Sequence, residues 1–260
     1  GWLPMFAALY LAGTVLCGAF VTLAGLSPEA GKPSFNWPTL VFQGLPALTL
    51  AVPEGLVTYF FGTAPPWHGV FGTHNPHAPA LAGAWFGAVL VCSLLAGGRP
   101  KDSKEVLQAV GLNAALSVVI LSGIYLYHQV WQYYRTAALK DVLQQQQLGW
   151  TAEQLLHQLP PLNTLLPGDI LFGVLVALGI RGLKGVRWKP DYLRLAVQGL
   201  PALLLAIPPR WYALVGMPED FCRHLFELYV SFPFTTLAGF WLGSLLVHSL
   251  SGKDYGSGRG

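Results

Sequence analysis

Charge is what this chain has least of. Asp, Glu, Lys and Arg make up 10% of its 260 residues, against about 25% in a soluble globular domain. The net charge of +3 is too small to imply a nucleic-acid partner, which would need a concentrated basic surface. Cysteine is also scarce. Two of the three, Cys17 and Cys92, fall inside apolar stretches, and with Cys222 they imply no disulfide framework. Absent too are CxxC and HExxH spacings, a Walker loop, a nucleophile elbow, paired intramembrane aspartates and a lysine in the last apolar stretch. Their absence removes the recognisable redox, zinc-protease, nucleotide-hydrolase, esterase and retinal-binding signatures. The sequence therefore names no cofactor and no metal.

What the chain has is apolar length. Hydrophobic residues make up 53%, and mean hydropathy is +0.48. Stretches of about 20 apolar residues, enough to cross about 30 Å of hydrocarbon, are expected near 3–25, 39–61, 78–97, 106–134, 163–183, 193–214 and 230–250. One or two could be core helices of a soluble protein; seven could not. The expected fold is an all-α polytopic membrane helix bundle, a single membrane domain over 1–260 with the lipid bilayer as its surroundings. The first stretch reads as a span rather than a secretory signal, because it is long and has a counterpart in the second half.

The chain also repeats itself. Residues 43–53 read Gln-Gly-Leu-Pro-Ala-Leu-Thr-Leu-Ala-Val-Pro, and 198–208 read Gln-Gly-Leu-Pro-Ala-Leu-Leu-Leu-Ala-Ile-Pro. A second pair follows at nearly the same offset. Leu81-Ala82-Gly83-Ala84-Trp85-Phe86-Gly87 matches Leu237-Ala238-Gly239-Phe240-Trp241-Leu242-Gly243. Two motifs in one order point to an internal duplication. Repeat one covers 3–97 and repeat two 163–250. A linker helix at 106–134 joins them, followed by an amphipathic segment at 137–158. Three spans plus one linker return the chain to its starting side, so the repeats are expected to run parallel, about an axis along the membrane normal.

Alternate loops of seven spans divide the basic residues. Eleven fall on one side, among them Lys32, Arg99, Lys101, Lys184 and Lys253. Four fall on the other: Arg135, Lys140, Arg210 and Arg223. Basic loops stay in the cytoplasm, so the N-terminus is expected outside and the C-terminus inside.

Several residues are candidates for function. Pro46 and Pro53 in the second span, and Pro201 and Pro208 in the sixth, each remove a backbone donor. They read as hinges of broken helices, or as plain packing kinks. Glu54 follows Pro53 deep in an apolar stretch, where a carboxylate must pair, protonate or face water. The repeat offset brings Arg210 to similar depth, as its expected partner. Gln43 and Gln198 open the equivalent spans. Trp85 and Trp241 lie between paired glycines whose spacing suits close helix packing, and could line a cavity. The linker helix carries a polar face that includes Asn113 and His128. His68, His74 and His77 gather in one loop without a metal-ligand spacing.

The leading expectation is a transport protein that moves a small solute by rocking two repeats about a midplane site. Glu54, Arg210, Gln43, Gln198, Asn113, His128, Trp85 and Trp241 would bind the substrate. The alternatives are a membrane enzyme acting on lipid, with His128 or Glu54 as its base, and a structural or cofactor-holding subunit with membrane-protein partners. The orientation is directly testable. In intact cells, a membrane-impermeant thiol reagent should modify Gly72→Cys and spare Lys101→Cys. The reverse pattern refutes the topology.

Overall fold

The computed structural model describes residues 3–25, 35–63, 65–71, 77–96, 102–146, 166–181, 191–206 and 234–250, and every element among them is helical. In chain order they are α1 (Leu3–Gly25), α2 (Trp37–Ala51), α3 (Glu54–Phe61), α4 (Pro66–Phe71), α5 (His77–Val91, continued by a π turn over Cys92–Ala96), α6 (Ser103–Gln146), α7 (Leu166–Arg181), α8 (Tyr192–Ala206) and α9 (Phe234–Leu250).

Three of these helices are long and apolar enough to cross a membrane, at Ala7–Ala24, His77–Leu95 and Ser103–Val130. Length and apolarity mark the chain as a membrane protein. A fourth crossing is possible if α2 and α3 count together, but the pair is bent by 82°. The bend falls at Pro53, one of the prolines read as a hinge or kink of the span expected over 39–61. The cause is local. Val52 precedes Pro53, and the proline ring disfavours the helical region for the residue before it. Val52 accordingly sits at ψ 118° and Pro53 at ψ 140°. Glu54 therefore opens a new helix. Gly62, at φ 77°, closes that helix by donating its N–H to the Thr58 carbonyl, a conformation that costs glycine little.

In the second half, α7, α8 and α9 have 16, 15 and 17 residues, shorter than a full crossing of about 20. The linker helix differs in the other direction. α6 runs for 44 residues, about 66 Å at 1.5 Å per residue. The amphipathic segment expected from 137 therefore continues α6 as far as Gln146. No Pro or Gly stands between Gly123 and Gly149, and Ala, Leu, Lys and Gln favour helix. The remainder, 147–158, lies outside the described residues.

α5 is the central helix. It is rich in Ala and Gly, apolar on every face, and buried along most of its length, as a helix enclosed by others must be. α1 packs along one side of it, α2 along another, and α6, α7 and α9 also touch it. The core gathers Leu81, Trp85 and Val89 of α5 with Leu50 of α2, Ile120 and Ile124 of α6, Phe172 and Val176 of α7, and Phe240 of α9.

The same local devices occur in both halves. Asn36 caps α2 by accepting from the Thr39 N–H, and Asp191 caps α8 by accepting from the Arg194 N–H. The Asn36 N–H donates to the Ser93 carbonyl at 2.9 Å, and the Asp191 N–H to the Ser249 carbonyl at 2.9 Å. A π segment follows each cap, at Leu40–Gly44 and at Leu195–Gly199. Glycines set the tight contacts. A Cβ on Gly18 would overlap the Ala84 carbonyl, and one on Gly87 the Val15 carbonyl. In the second half, Gly173 stands in this relation to the Phe240 carbonyl, and Gly243 to the Ile170 carbonyl. Such contacts let backbones approach in lipid, where no hydrophobic force drives helices together.

Gly87→Leu and Gly243→Leu should each reduce the monodisperse fraction on size exclusion in mild detergent. Overpacking of this kind costs about 1–3 kcal/mol or more. Gly13→Leu and Gly111→Leu, where a Cβ meets nothing within 4 Å, should leave the protein intact.

Candidate functional site

Pro46 organises the first polar group. It has no N–H, so the Phe42 carbonyl one turn earlier loses its helical donor. The π segment over Leu40–Gly44 widens the helix at this point. Ser117 of α6 supplies the missing donor, its hydroxyl reaching the Phe42 carbonyl at 2.5 Å. Beside it, Gln43 is buried and fully engaged. Its Nε2 donates to Asn113 Oδ1 at 2.6 Å, and its Oε1 accepts from Trp85 Nε1 at 3.3 Å. Asn113 Nδ2 in turn donates to the Ala109 carbonyl at 2.7 Å. Three expected site residues, Gln43, Trp85 and Asn113, thus form one chain across α2, α5 and α6.

A second polar group lies where α5, α7 and α9 begin. His77 Nδ1 and Thr236 Oγ1 are 2.7 Å apart. The His77 ring lies 6.5 Å from the Tyr127 ring of α6. Asp169 of α7 is 2% exposed. It interacts with Tyr127 and Thr236, yet neither the Tyr127 hydroxyl nor Asp169 Oδ1 meets a partner in hydrogen-bond geometry. Its Cβ would lie 2.6 Å from a Cβ on Gly239, so the glycine makes room for it. An ionised carboxylate in so dry a place costs several kcal/mol unless paired. A buried acid among apolar helices is a candidate functional residue.

The inward face of α6 links the two groups. Asn113, Ser117, Ile120, Ile124, Tyr127 and His128 recur at helical spacing, and all are buried. His128 therefore sits beside the second group.

The remaining candidates are spread more widely. Glu54 is half-buried at the N-terminus of α3, where a helix dipole favours an acid. It lies close enough to His68 of α4 to act on it electrostatically. Burial lowers the His68 pKa below the ordinary histidine value, and the Glu54 charge offsets part of that shift. Glu54 is not among the residues around Asp169. Gln198 and Trp241 are half-buried, and Pro201 is exposed on α8. His74, Pro208 and Arg210 lie outside the described residues, and with Arg210 the expected partner of Glu54. No group of three or more His, Cys, Asp or Glu residues that could hold a metal occurs among the described residues.

The sequence reading missed Asp169, Tyr127 and Thr236 as site residues and placed His77 in a loop. One signal was available: Asp169 is the residue that the repeat offset sets against Thr14.

The Gln43 chain makes a quantitative expectation possible. Gln43→Leu and Asn113→Leu should each lower the melting temperature in detergent. The double variant should cost less than their sum, with a coupling of about 0.6–1.7 kcal/mol, the range for hydrogen bonds between membrane helices. Strict additivity would show that the two amides do not interact. Comparison with protein-family models, with curated proteins and with solved structures returns no match, so function is argued from these residues alone.

Proposed function

We propose that the chain is a membrane transport protein for a small solute, built from two parallel three-helix repeats that rock against each other. In this reading repeat one (3–97) supplies α1, α2 and α5, repeat two (163–250) supplies α7, α8 and α9, and α6 links them. The paired caps, π segments and glycine contacts support that division. Each falls at an offset of 155 or 156 residues: Asn36 with Asp191, Gly18 with Gly173, Gly87 with Gly243, Ser93 with Ser249. The basic-residue asymmetry favours an external N-terminus and a cytoplasmic C-terminus.

One observation carries the transport reading. His77 comes from the first half, Asp169 and Thr236 from the second, and Tyr127 from the linker helix, and they meet inside the bundle around a buried acid. A structural scaffold has no need of a buried acid whose Oδ1 is left without a hydrogen bond. A site shared between halves changes geometry when the halves move. Its donors, acceptors and acid suit a polar solute or a proton exchanged for one. The helix break at Pro53 would absorb the motion.

The test is a distance measurement. Spin labels at Leu94→Cys and Tyr192→Cys, in a chain freed of its native cysteines, report separation of the halves by pulsed electron resonance. Rocking predicts two resolved distances, with populations shifted by Asp169→Asn. A single narrow distance unaffected by Asp169→Asn overturns the proposal.

A further inference from the structure

The two halves differ most at the face that α6 covers. In the first half, α6 lies against α2. Ser117 satisfies the Phe42 carbonyl there, and Asn113 satisfies the Gln43 amide. The repeat offset maps Pro38, Phe42, Gln43, Pro46 and Leu50 onto Leu193, Val197, Gln198, Pro201 and Leu205 of α8. These five lie at spacings of about four along α8 and so share one side of it.

In the first half Pro38, Gln43 and Leu50 are buried and Phe42 and Pro46 half-buried; of their counterparts only Gln198 is half-buried and the other four are exposed. Leu50 is 3% exposed and Gln43 2%, whereas Leu193 is 75% exposed, Val197 64% and Leu205 46%. Contact with lipid does not explain the contrast. The face exposed in both halves is marked by Leu45 and Leu200, each 57% exposed. The α8 face is additional to it. It also carries the chemistry that α6 satisfies in the first half. Pro201 deprives the Val197 carbonyl of its helical donor, as Pro46 does Phe42. Gln198 brings a carboxamide to the same level. Acyl chains offer hydrogen bonds to neither group.

We infer that the α8 face bearing Leu193, Val197, Gln198, Pro201 and Leu205 docks a transmembrane helix of a separate membrane protein. The partner helix is apolar, with a carboxamide and a hydroxyl one turn apart. The carboxamide pairs with Gln198 and the hydroxyl donates to the Val197 carbonyl, as Asn113 and Ser117 do in the first half. This rests on the equivalence of the two halves proposed above and not on their rocking.

A peptide of residues 103–130 is a probe of that chemistry. The full chain and the fluorescent peptide would be reconstituted in phosphatidylcholine vesicles and energy transfer between them titrated. Saturable transfer is expected. Asn113→Leu with Ser117→Leu in the peptide should weaken it at least tenfold, as should Gln198→Leu or Val197→Trp in the chain. Leu200→Trp, on the face exposed in both halves, should not. Transfer no greater than that of a leucine–alanine peptide would mean that lipid alone covers the face, and overturns the inference. Transfer between two labelled copies of the chain that Val197→Trp abolishes would assign the face to a second copy, and overturns it equally. Two spin-label distances without peptide binding would reject the docking face alone. Peptide binding with a single distance would reject the rocking alone.

Discussion

A proline inside an apolar helix leaves a carbonyl with no donor, and hydrocarbon cannot supply one. Much of the arrangement around α2 follows from meeting that demand at Phe42. The donor is Ser117, so α6 must run against α2 at that level. Once it does, Asn113 one turn away reaches Gln43, and Gln43 reaches Trp85 of the central helix. The register of α6 is then set along its whole inward face. Ile120 and Ile124 enter the core, and Tyr127 and His128 arrive where α5, α7 and α9 begin. A backbone deficit met near the start of α6 thus places the polar side chains near its middle.

Close packing does the complementary work. Gly83 and Gly87 of α5 admit α1, and Gly239 and Gly243 of α9 admit α7. Against the first pair lies Thr14, whose hydroxyl donates to the Leu11 carbonyl of its own helix at 2.9 Å. At the equivalent place in the second half lies Asp169. A threonine can satisfy itself on its own helix because it carries a proton to donate. The Asp169 carboxyl instead turns to other helices, toward Tyr127 and Thr236. One change of residue type on a repeated contact thereby turns a self-contained packing position into one that depends on other helices.

Much of the helical framework was legible in the sequence, because apolar length and motif spacing carry it directly. The long helices lie close to the expected stretches, and the caps, π segments and glycine contacts recur at the offsets of the repeated motifs. A hinge or kink at Pro53 was legible in the sequence, but not the 82° size of the bend, since hydropathy runs on through it and only the restriction imposed by Pro53 on its neighbour breaks the helix. The length of α6 was underestimated because the boundary was placed where polarity rises rather than where a helix breaker stands. Gln43, Asn113 and Trp85 could be named but not joined, since their contact depends on how far α6 rotates. Asp169 opens α7 with nothing in the local pattern to single it out. Whether such a residue faces lipid, water or three other helices is decided by packing, which pattern alone does not convey.

The linker helix also makes two similar halves unequal. In the proposed arrangement of two three-helix repeats, the odd helix α6 lies against α2, and the chain holds a single copy of it. The half that has it closes a polar chain and buries Gln43 and Leu50. The other half keeps the same proline, the same glutamine and the same π segment with no α6 beside them. Random drift after a duplication would be expected to erase a glutamine that faced only lipid, because an amide there costs free energy without return. A buried, satisfied first copy and a half-buried second copy flanked by exposed Val197 and Pro201 are more simply explained if the second has a partner too. The asymmetry of α6 is then what separates the two faces of the protein: one turned inward on itself, the other toward a neighbour.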